Sequence, residues 1–441
     1  MSGRDGIGSE APRTVGQRGP RPVWQRFGAM VALAVLVLGT LSACGDDNTR
    51  PYTHISPTTG VADDIQGLYK LVFWMALVVF VLVQFLIVYA AMRFRRKRNQ
   101  NTRPPQIHGN KTLEIAWTII PALVLLTILV PTIQTMYEFD AQADEVDDAL
   151  VVNVYGKQWW WEVHYPQFPV SQYRSPADGS LVGEPQVLMT ANEVRVPVGR
   201  KVRFNLYSNN VIHSFYIPRM SGKMDVIPGH ENYLAFTPRE VGTFYGECTE
   251  FCGVSHAWMR FVVKAVEPAQ FDAWVAAYSA PPSVVSQQFS TDGDVTKPPA
   301  SFGLCVTCHN VNGTTAGAAR GGLATDPTSV NAAPNLTLFG CRDTIAAGLL
   351  ENTPENLATW LDNPAAVKEG NFMSSAIKDE TLTDEQITEL VNYLESLKPA
   401  EGCYEPPGGE GGPTNPDVVP VVSSVPVGQQ PALPAPPPVA S

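Results

Sequence analysis

Two stretches of this chain contain no charged residue, Leu71 to Met92 and Ile115 to Met136, each 22 residues long. A helix of that length rises about 33 Å, enough to cross the ~30 Å hydrocarbon core of a bilayer. Inside that core only structure that satisfies its own backbone hydrogen bonds survives. Two transmembrane helices, at about 71–92 and 115–136 within a hairpin spanning 68–137, therefore organise everything else. Arg93, Arg95, Arg96, Lys97, Arg98, Arg103 and Lys111 all fall between them, which makes loop 93–112 cytoplasmic by the positive-inside rule. Everything after Tyr137 then lies on the other side. Pro121 and Pro131 in the second span are tolerated where neighbouring helices satisfy the freed carbonyls, and so point to a larger membrane partner.

The N-terminus supports the same orientation. Arg18, Arg21 and Arg26 precede an apolar run from Ala29 to Leu41, followed by Leu41-Ser42-Ala43-Cys44. This reads as a signal peptide over 1–43 ending in a lipobox and resembles bacterial lipoproteins. In those, the cysteine becomes a diacylated N-terminus, so Cys44 is the expected lipidation site, ahead of an extracytoplasmic segment 44–67. An ordinary signal peptide with a chance cysteine is the alternative. The net charge of -11 argues against nucleic acid as a partner, because neutralising phosphates needs a concentrated basic face.

Beyond the spans the pattern changes to short β-branched and aromatic runs: Leu150 to Tyr155, Glu193 to Val198, Lys201 to Tyr207 and Met259 to Val266, separated by Gly, Pro and Asn. Residues 138–278 thus read as an all-β Greek-key sandwich, closed by a helix over Glu267 to Ala277. Its chemistry sits in the segment from Gly246 to Met259, which offers Cys248, Cys252, His256 and Met259, with His213 on an earlier strand end. Thiolate with imidazole suits copper or zinc, but zinc rarely recruits a thioether, which beside thiolate and imidazole favours copper electron transfer. A mononuclear blue copper needs one cysteine, whereas two cysteines on one loop can bridge a pair of coppers.

At this point the sequence resembles the CuA domain of cytochrome c oxidase subunit II. Its Cys-x-Glu-x-Cys-x-x-x-His-x-x-Met pattern stands here as Cys248 through Met259, and its Val-Ile-His-Ser-Phe strand as Val211 to Phe215. The resemblance implies bridging Cys248 and Cys252, terminal His213 and His256, and axial Met259 and Glu250 carbonyl, with the Glu250 side chain helping to hold Mg at the boundary with subunit I. Tryptophans in a β-sandwich are ordinarily core, yet the resemblance makes Trp159, first of the run Trp159-Trp160-Trp161, the surface entry point for electrons. Glu114, ahead of the second span, reads on its own as a solvated helix-end charge. The match at Leu113 to Pro121 instead implies the mouth of a proton channel. Asn210 and Glu247 depart from the acidic residue and the glutamine usual in the family, which bears on surface charge near the site and leaves the ligands in place.

A second soluble domain follows a Pro-, Ser- and Gln-rich linker at 279–300. Cys305-Val306-Thr307-Cys308-His309 is a haem c attachment motif in which two thiols take the vinyl groups and the histidine takes the iron. Met373 is the only methionine after it and the expected distal ligand. Thr383 to Gln386 forms a capping box ahead of Ile387, Leu390, Val391, Leu394 and Leu397 at helical spacing. The domain, 301–404, resembles an all-α class I cytochrome c, also in Ala333 to Thr337 and Trp360 to Pro364. An exported compartment favours a Cys341–Cys403 disulfide over two free thiols. The tail from 405 to 441 is Gly-, Pro- and Val-rich, nearly uncharged, and expected to be disordered.

Together these features make a multidomain chain: a two-helix hairpin, a cupredoxin-like CuA domain and a cytochrome c domain. The resemblance implies subunit II of a caa3-type, proton-translocating cytochrome c oxidase in a bacterial plasma membrane. Electrons pass from haem c and binuclear copper to haem a of subunit I, where the haem a3/CuB centre reduces O2 to water. Implied partners are subunits I and III, with a cytochrome bc complex or a cytochrome c as donor, directly or in a supercomplex. The CuA subunit of a nitric oxide reductase is the alternative. A quinol oxidase subunit would have dropped the copper ligands, and a lone copper chaperone would need no polytopic partner.

Overall fold

In the computed structural model the described residues are 52–95, 109–144, 147–170, 173–174, 181–182, 187–279, 297–309, 311, 333–378, 381–399 and 402–403. The signal segment with Cys44, most of the cytoplasmic loop, most of the linker and the C-terminal tail lie outside them.

Helix α1 (Gly60–Arg93) and helix α2 (Lys111–Asp144) carry the two apolar stretches, each extended to 34 residues. Such a helix is about 51 Å long, so its ends project beyond the hydrocarbon. The start of α1 is tied into the soluble part. Thr59 caps it by accepting a hydrogen bond from the Ala62 amide at 3.1 Å, and Val61, Ala62 and Gln66 are buried. The Thr58 amide donates to the Arg219 carbonyl at 2.8 Å, and Arg239 pairs with Asp63 in the first helical turn. The β domain is thereby tied to the start of α1. Pro121 and Pro131 lie inside α2.

The β domain is two five-stranded sheets face to face. One has the order β10 (Asn232–Phe236), β7 (Val202–Ser208), β1 (Leu150–Lys157), β2 (Trp160–Pro169), β5 (Val187–Ala191). The other runs β6 (Glu193–Pro197), β12 (Arg260–Val266), β11 (Gly242–Cys248), β8 (His213–Tyr216), β9 (Lys223–Val226). Pairing is antiparallel except for β1 with β7 and β12 with β6, and β3 (Tyr173–Arg174) with β4 (Leu181–Val182) forms a separate antiparallel ribbon. Period-2 alternation puts Leu150, Val152 and Val154 of β1 and Val202, Phe204 and Leu206 of β7 wholly inside. Each such side chain contributes about 2 kcal/mol by leaving water. Helix α3 (Pro268–Tyr278), with a Glu267/Gln270 capping box, lays Phe271, Trp274 and Tyr278 on the sandwich. Strand β2 breaks the alternation, since Trp160 through Tyr165 are all buried. One face meets the sandwich core, while on the other Trp160 packs with Ala347 of the C-terminal domain.

That C-terminal domain is mainly helical. A 3-10 segment (Ala300–Thr307) carries the first thiol of the haem motif, and α4 (Pro354–Asp362), α5 (Pro364–Val367) and a 3-10 turn (Phe372–Ser375) lead to α6 (Asp384–Ser396). The α6 capping box is closed by Thr383 and Gln386. Beside the helices a short hairpin, β13 (Thr344–Ile345) with β14 (Leu350–Glu351), departs from a purely helical domain. Phe302, Leu357, Leu361, Leu390 and Leu397 fill the core, with Phe302 edge-on to Tyr393 at 5.0 Å. Cys341 and Cys403 are joined, S–S 2.02 Å.

Candidate metal centre

The end of β11, the loop after it and the start of β8 converge at one rim of the sandwich. Cys248 ends β11, paired in register with Phe215 of β8, so His213 two residues earlier is brought beside the loop. The His213 Nδ1 lies 3.9 Å from the Cys248 Sγ. The two sulfurs are 3.8 Å apart, His256 Nδ1 is 3.6 Å from Cys252 Sγ, and Met259 Sδ is 3.8 Å from the same sulfur. The Glu250 carbonyl lies 3.3 Å from Cys248 Sγ. His213, Cys248, Cys252 and Met259 are all buried. Every donor that the loop pattern offers therefore faces one small volume. Gly156 of β1 leaves room for it, because a Cβ there would stand 2.8 Å from His213 Cδ2.

The two thiols share a proton unequally. The hydrogen bond between the two sulfurs holds the Cys248 thiol well below its ordinary range, against burial and with help from His213 and the backbone of Ser214 and Glu250. That same bond pushes the Cys252 thiol up, and burial adds to it. A pocket that stabilises thiolate beside imidazole and thioether fits soft, copper-type ligation.

Around the donors stand residues that the spacing alone does not identify. The Asn210 Oδ1 is 3.2 Å from His213 Nε2, and so fixes which ring nitrogen faces the sulfurs. Asn210 Nδ2 in turn approaches Gln158 Oε1 at 3.4 Å. Gln158 Nε2 and Trp159 Nε1 both donate to the Cys252 carbonyl, at 2.7 and 3.0 Å. Trp159 is only 8 % exposed. The surface position expected for it is covered, since Phe372 of the C-terminal domain stacks on its ring at 5.2 Å and 21°. Glu250 itself is exposed, and Glu114 sits in the first turn of α2.

In the C-terminal domain His309 Nδ1 donates to the Pro334 carbonyl at 2.8 Å, which leaves Nε2 as the free donor atom. Burial pushes this imidazole down to about 4, so it is neutral and able to bind a metal. Cys305, Val306 and Met373 all pack against the same core cluster. The attachment motif and the sole downstream methionine thus border one core, with the Pro334 segment as a third wall.

A burial pattern further from the metal donors is also notable. Lys157 and His164 flank Glu162 on adjacent strands, at 3.1 and 2.7 Å, all three buried.

Residues 150–266 match the model of the cytochrome c oxidase subunit II periplasmic domain, 55–135 that of its transmembrane domain, and 300–398 that of cytochrome c. A cytochrome c oxidase subunit 2 of Alkalihalophilus pseudofirmus is 33% identical over 382 residues, covering 86% of this chain and 99% of the relative. The subunit 2 of Bacillus subtilis is 34% identical, covering 84% and 97%, and that of Bacillus sp. strain PS3 is 38% identical, covering 69% and 79%.

Proposed function

The chain belongs to the cytochrome c oxidase subunit II family, with a cytochrome c domain behind the copper domain, and from that premise we propose which of its residues hold which redox group. It is a membrane subunit of a haem-copper oxidase, works with subunit I, and is where electrons enter. Neither span contains a histidine, so oxygen reduction belongs to subunit I. All the relatives reported are oxidase subunits, and the nitric oxide reductase alternative is not favoured.

Cys248 and Cys252, with His213, His256, Met259 and the Glu250 carbonyl, would together hold a copper pair. Cys305 and Cys308 would carry haem c, with His309 and Met373 as its iron ligands. When bound, these groups each accept and release one electron. The chain's own residues keep them in place: Asn210 orients His213, the Pro334 carbonyl orients His309, and Trp159 and Gln158 tie the Cys252 carbonyl to the preceding β1–β2 turn.

Finer assignments follow the same family pattern. Trp159 is the electron-entry residue beside the copper loop. The exposed Glu250 carboxylate takes part in a Mg site against subunit I. Glu114 lies at the mouth of a proton path into subunit I, at the cytoplasmic start of α2. Cys44 is the lipid anchor. Subunit III completes the complex, and a cytochrome bc complex or a cytochrome c supplies electrons, with a supercomplex as one arrangement. Domain limits are 68–137 for the hairpin, 138–278 for the copper domain and 301–404 for the haem domain.

The observation that carries this reading is the convergence of two thiols, two imidazoles and a thioether on one buried rim, each within 3.9 Å of a ligand sulfur. Copper and haem quantitation of the purified full chain, with EPR, tests it. Two coppers and one covalent haem per chain with a mixed-valence hyperfine pattern are expected. A single copper, or zinc, would overturn the binuclear assignment.

A further inference from the structure

Two cations of the haem domain turn inward, and each faces a different redox site. The Arg342 guanidinium donates to the Asn335 carbonyl, next to the Pro334 carbonyl that orients His309, and its charge acts on that imidazole. Lys368 points the other way. It is 4 % exposed and reaches across the domain boundary to donate its ammonium to the Trp159 carbonyl at 2.5 Å. The loop around it is held on both sides: Asn371 Nδ2 donates to the Pro364 and Lys368 carbonyls, and the Ser255 hydroxyl donates to the Glu369 carbonyl. Gly370, at φ +76°, completes the close approach, since a Cβ there would stand 2.7 Å from Val254 Cγ1.

Among the described residues no carboxylate pairs with Lys368, and Glu369 beside it is exposed. Burial lowers the ammonium to about 7, and the nearby Cys252 thiolate opposes the fall. The path from ammonium to copper donor is short. Trp159, whose carbonyl holds the ammonium, donates through its indole Nε1 to the Cys252 carbonyl at 3.0 Å, and Gln158 Nε2 donates to the same oxygen at 2.7 Å. Lys368 is thus a positive charge of the haem domain placed at the copper loop, while Arg342 is the cation on the haem side.

When an electron crosses, the haem iron is oxidised from ferrous to ferric and the copper pair becomes one unit more negative; no bond or proton need move. A fixed positive charge near the copper pair stabilises its reduced form more than its oxidised form, and away from bulk water that preference is several times what water would allow. From this placement we infer that Lys368 is a tuning residue which the haem domain supplies to its own electron acceptor: its ammonium raises the potential of the copper pair relative to haem c and so favours transfer from haem c to copper. The inference rests on the copper and haem assignments proposed above. It adds that the acceptor's potential is set in part by a side chain of the donor domain.

Redox titration of the purified full chain loaded with copper and haem c tests it, at about pH 6 where the ammonium is intact. Haem c is followed by its visible absorption and copper by its EPR signal. In Lys368→Met and in Lys368→Gln, which remove the charge, the copper potential should fall while haem c moves much less. The sharing of an electron between the two should shift about tenfold toward the haem, which is about 59 mV for one electron. Lys368→Arg, which keeps the charge, should stay near the wild type. An unchanged copper potential in the uncharged variants would overturn the inference, as would equal falls at copper and haem. A fall in Lys368→Arg as large as in Lys368→Met would also overturn it, because the effect would then come from packing and not from charge. A wild type without a binuclear copper signal would sink the copper assignment itself, and the tuning with it, whereas a normal signal whose potential ignores Lys368 removes the tuning alone.

Discussion

The amide oxygen of Asn210 lies 3.2 Å from Nε2 of His213, on the far side of the ring from Cys248. A ligand histidine has two nitrogens, and whichever one is engaged by a neighbour leaves the other to the metal. Asn210 therefore selects Nδ1 as the donor. Asn210→Ala is expected to lower copper retention by about 10–100-fold, the usual scale for losing such an outer contact. Asn210→Asp, which keeps an oxygen in place, should retain most of it. Competition against a copper chelator, followed by EPR, reads the difference; equal retention in all three proteins would remove Asn210 from the site.

Gly156 makes the same site sterically possible. A methyl group there would stand 2.8 Å from the His213 ring, and strand β1 cannot yield because it pairs with β2 and β7 along its length. Gly156→Ala should displace His213 and abolish the binuclear EPR signal while the sandwich persists by circular dichroism. A normal signal in that variant would show that the ring has another place to go.

Much of this was legible in the sequence because it is local. The uncharged spans, the Cys248 to Met259 spacing and Cys305 to His309 each put their meaning within a dozen residues, and the α6 capping box did the same for its helix. What escaped depends on contacts between distant parts of the chain. Asn210 reads as a change of surface charge until its partner is known. Trp159, ordinarily core in a β-sandwich, reads as a surface residue only through the family resemblance, and nothing near it in sequence foretells Phe372. The burial of Trp160 on the outer face of β2 likewise needs Ala347 of another domain.

The disulfide closes the end of the haem domain back on Cys341 across 62 residues. In the chain-entropy model a loop of that size limits the unfolded chain by about 4 kcal/mol, with measured bridges more often at ~2–4. Cys341→Ser with Cys403→Ser should lower the unfolding free energy of the haem domain by that order, seen as a lower midpoint in denaturant at unchanged slope. It should also weaken its attachment to α3, because the Cys341 carbonyl accepts the Tyr278 hydroxyl. An unchanged midpoint would mean that the bridge constrains a segment already ordered in the unfolded state.

The buried Glu162 offers a pH-dependent prediction. Burial alone would raise its carboxyl, but the hydrogen bond and charge of His164 and the ammonium of Lys157 outweigh it, and the net shift is downward from 4.5. The folded protein thus binds this proton less readily than the unfolded chain. The stabilisation is complete above the unfolded value of about 4.5 and disappears as the pH falls through the lower folded value. Glu162→Gln keeps the shape while removing the charge, leaving the Lys157 ammonium, 1 % exposed, without its carboxylate. A loss of about 3–5 kcal/mol at neutral pH is expected, the scale for breaking a buried ion pair from one side. Thermal unfolding of both proteins from pH 7 down to 3 measures this: the wild type should lose stability on acidification and converge toward the variant, whose own profile is flatter. Parallel profiles would show that another carboxylate governs the acid response.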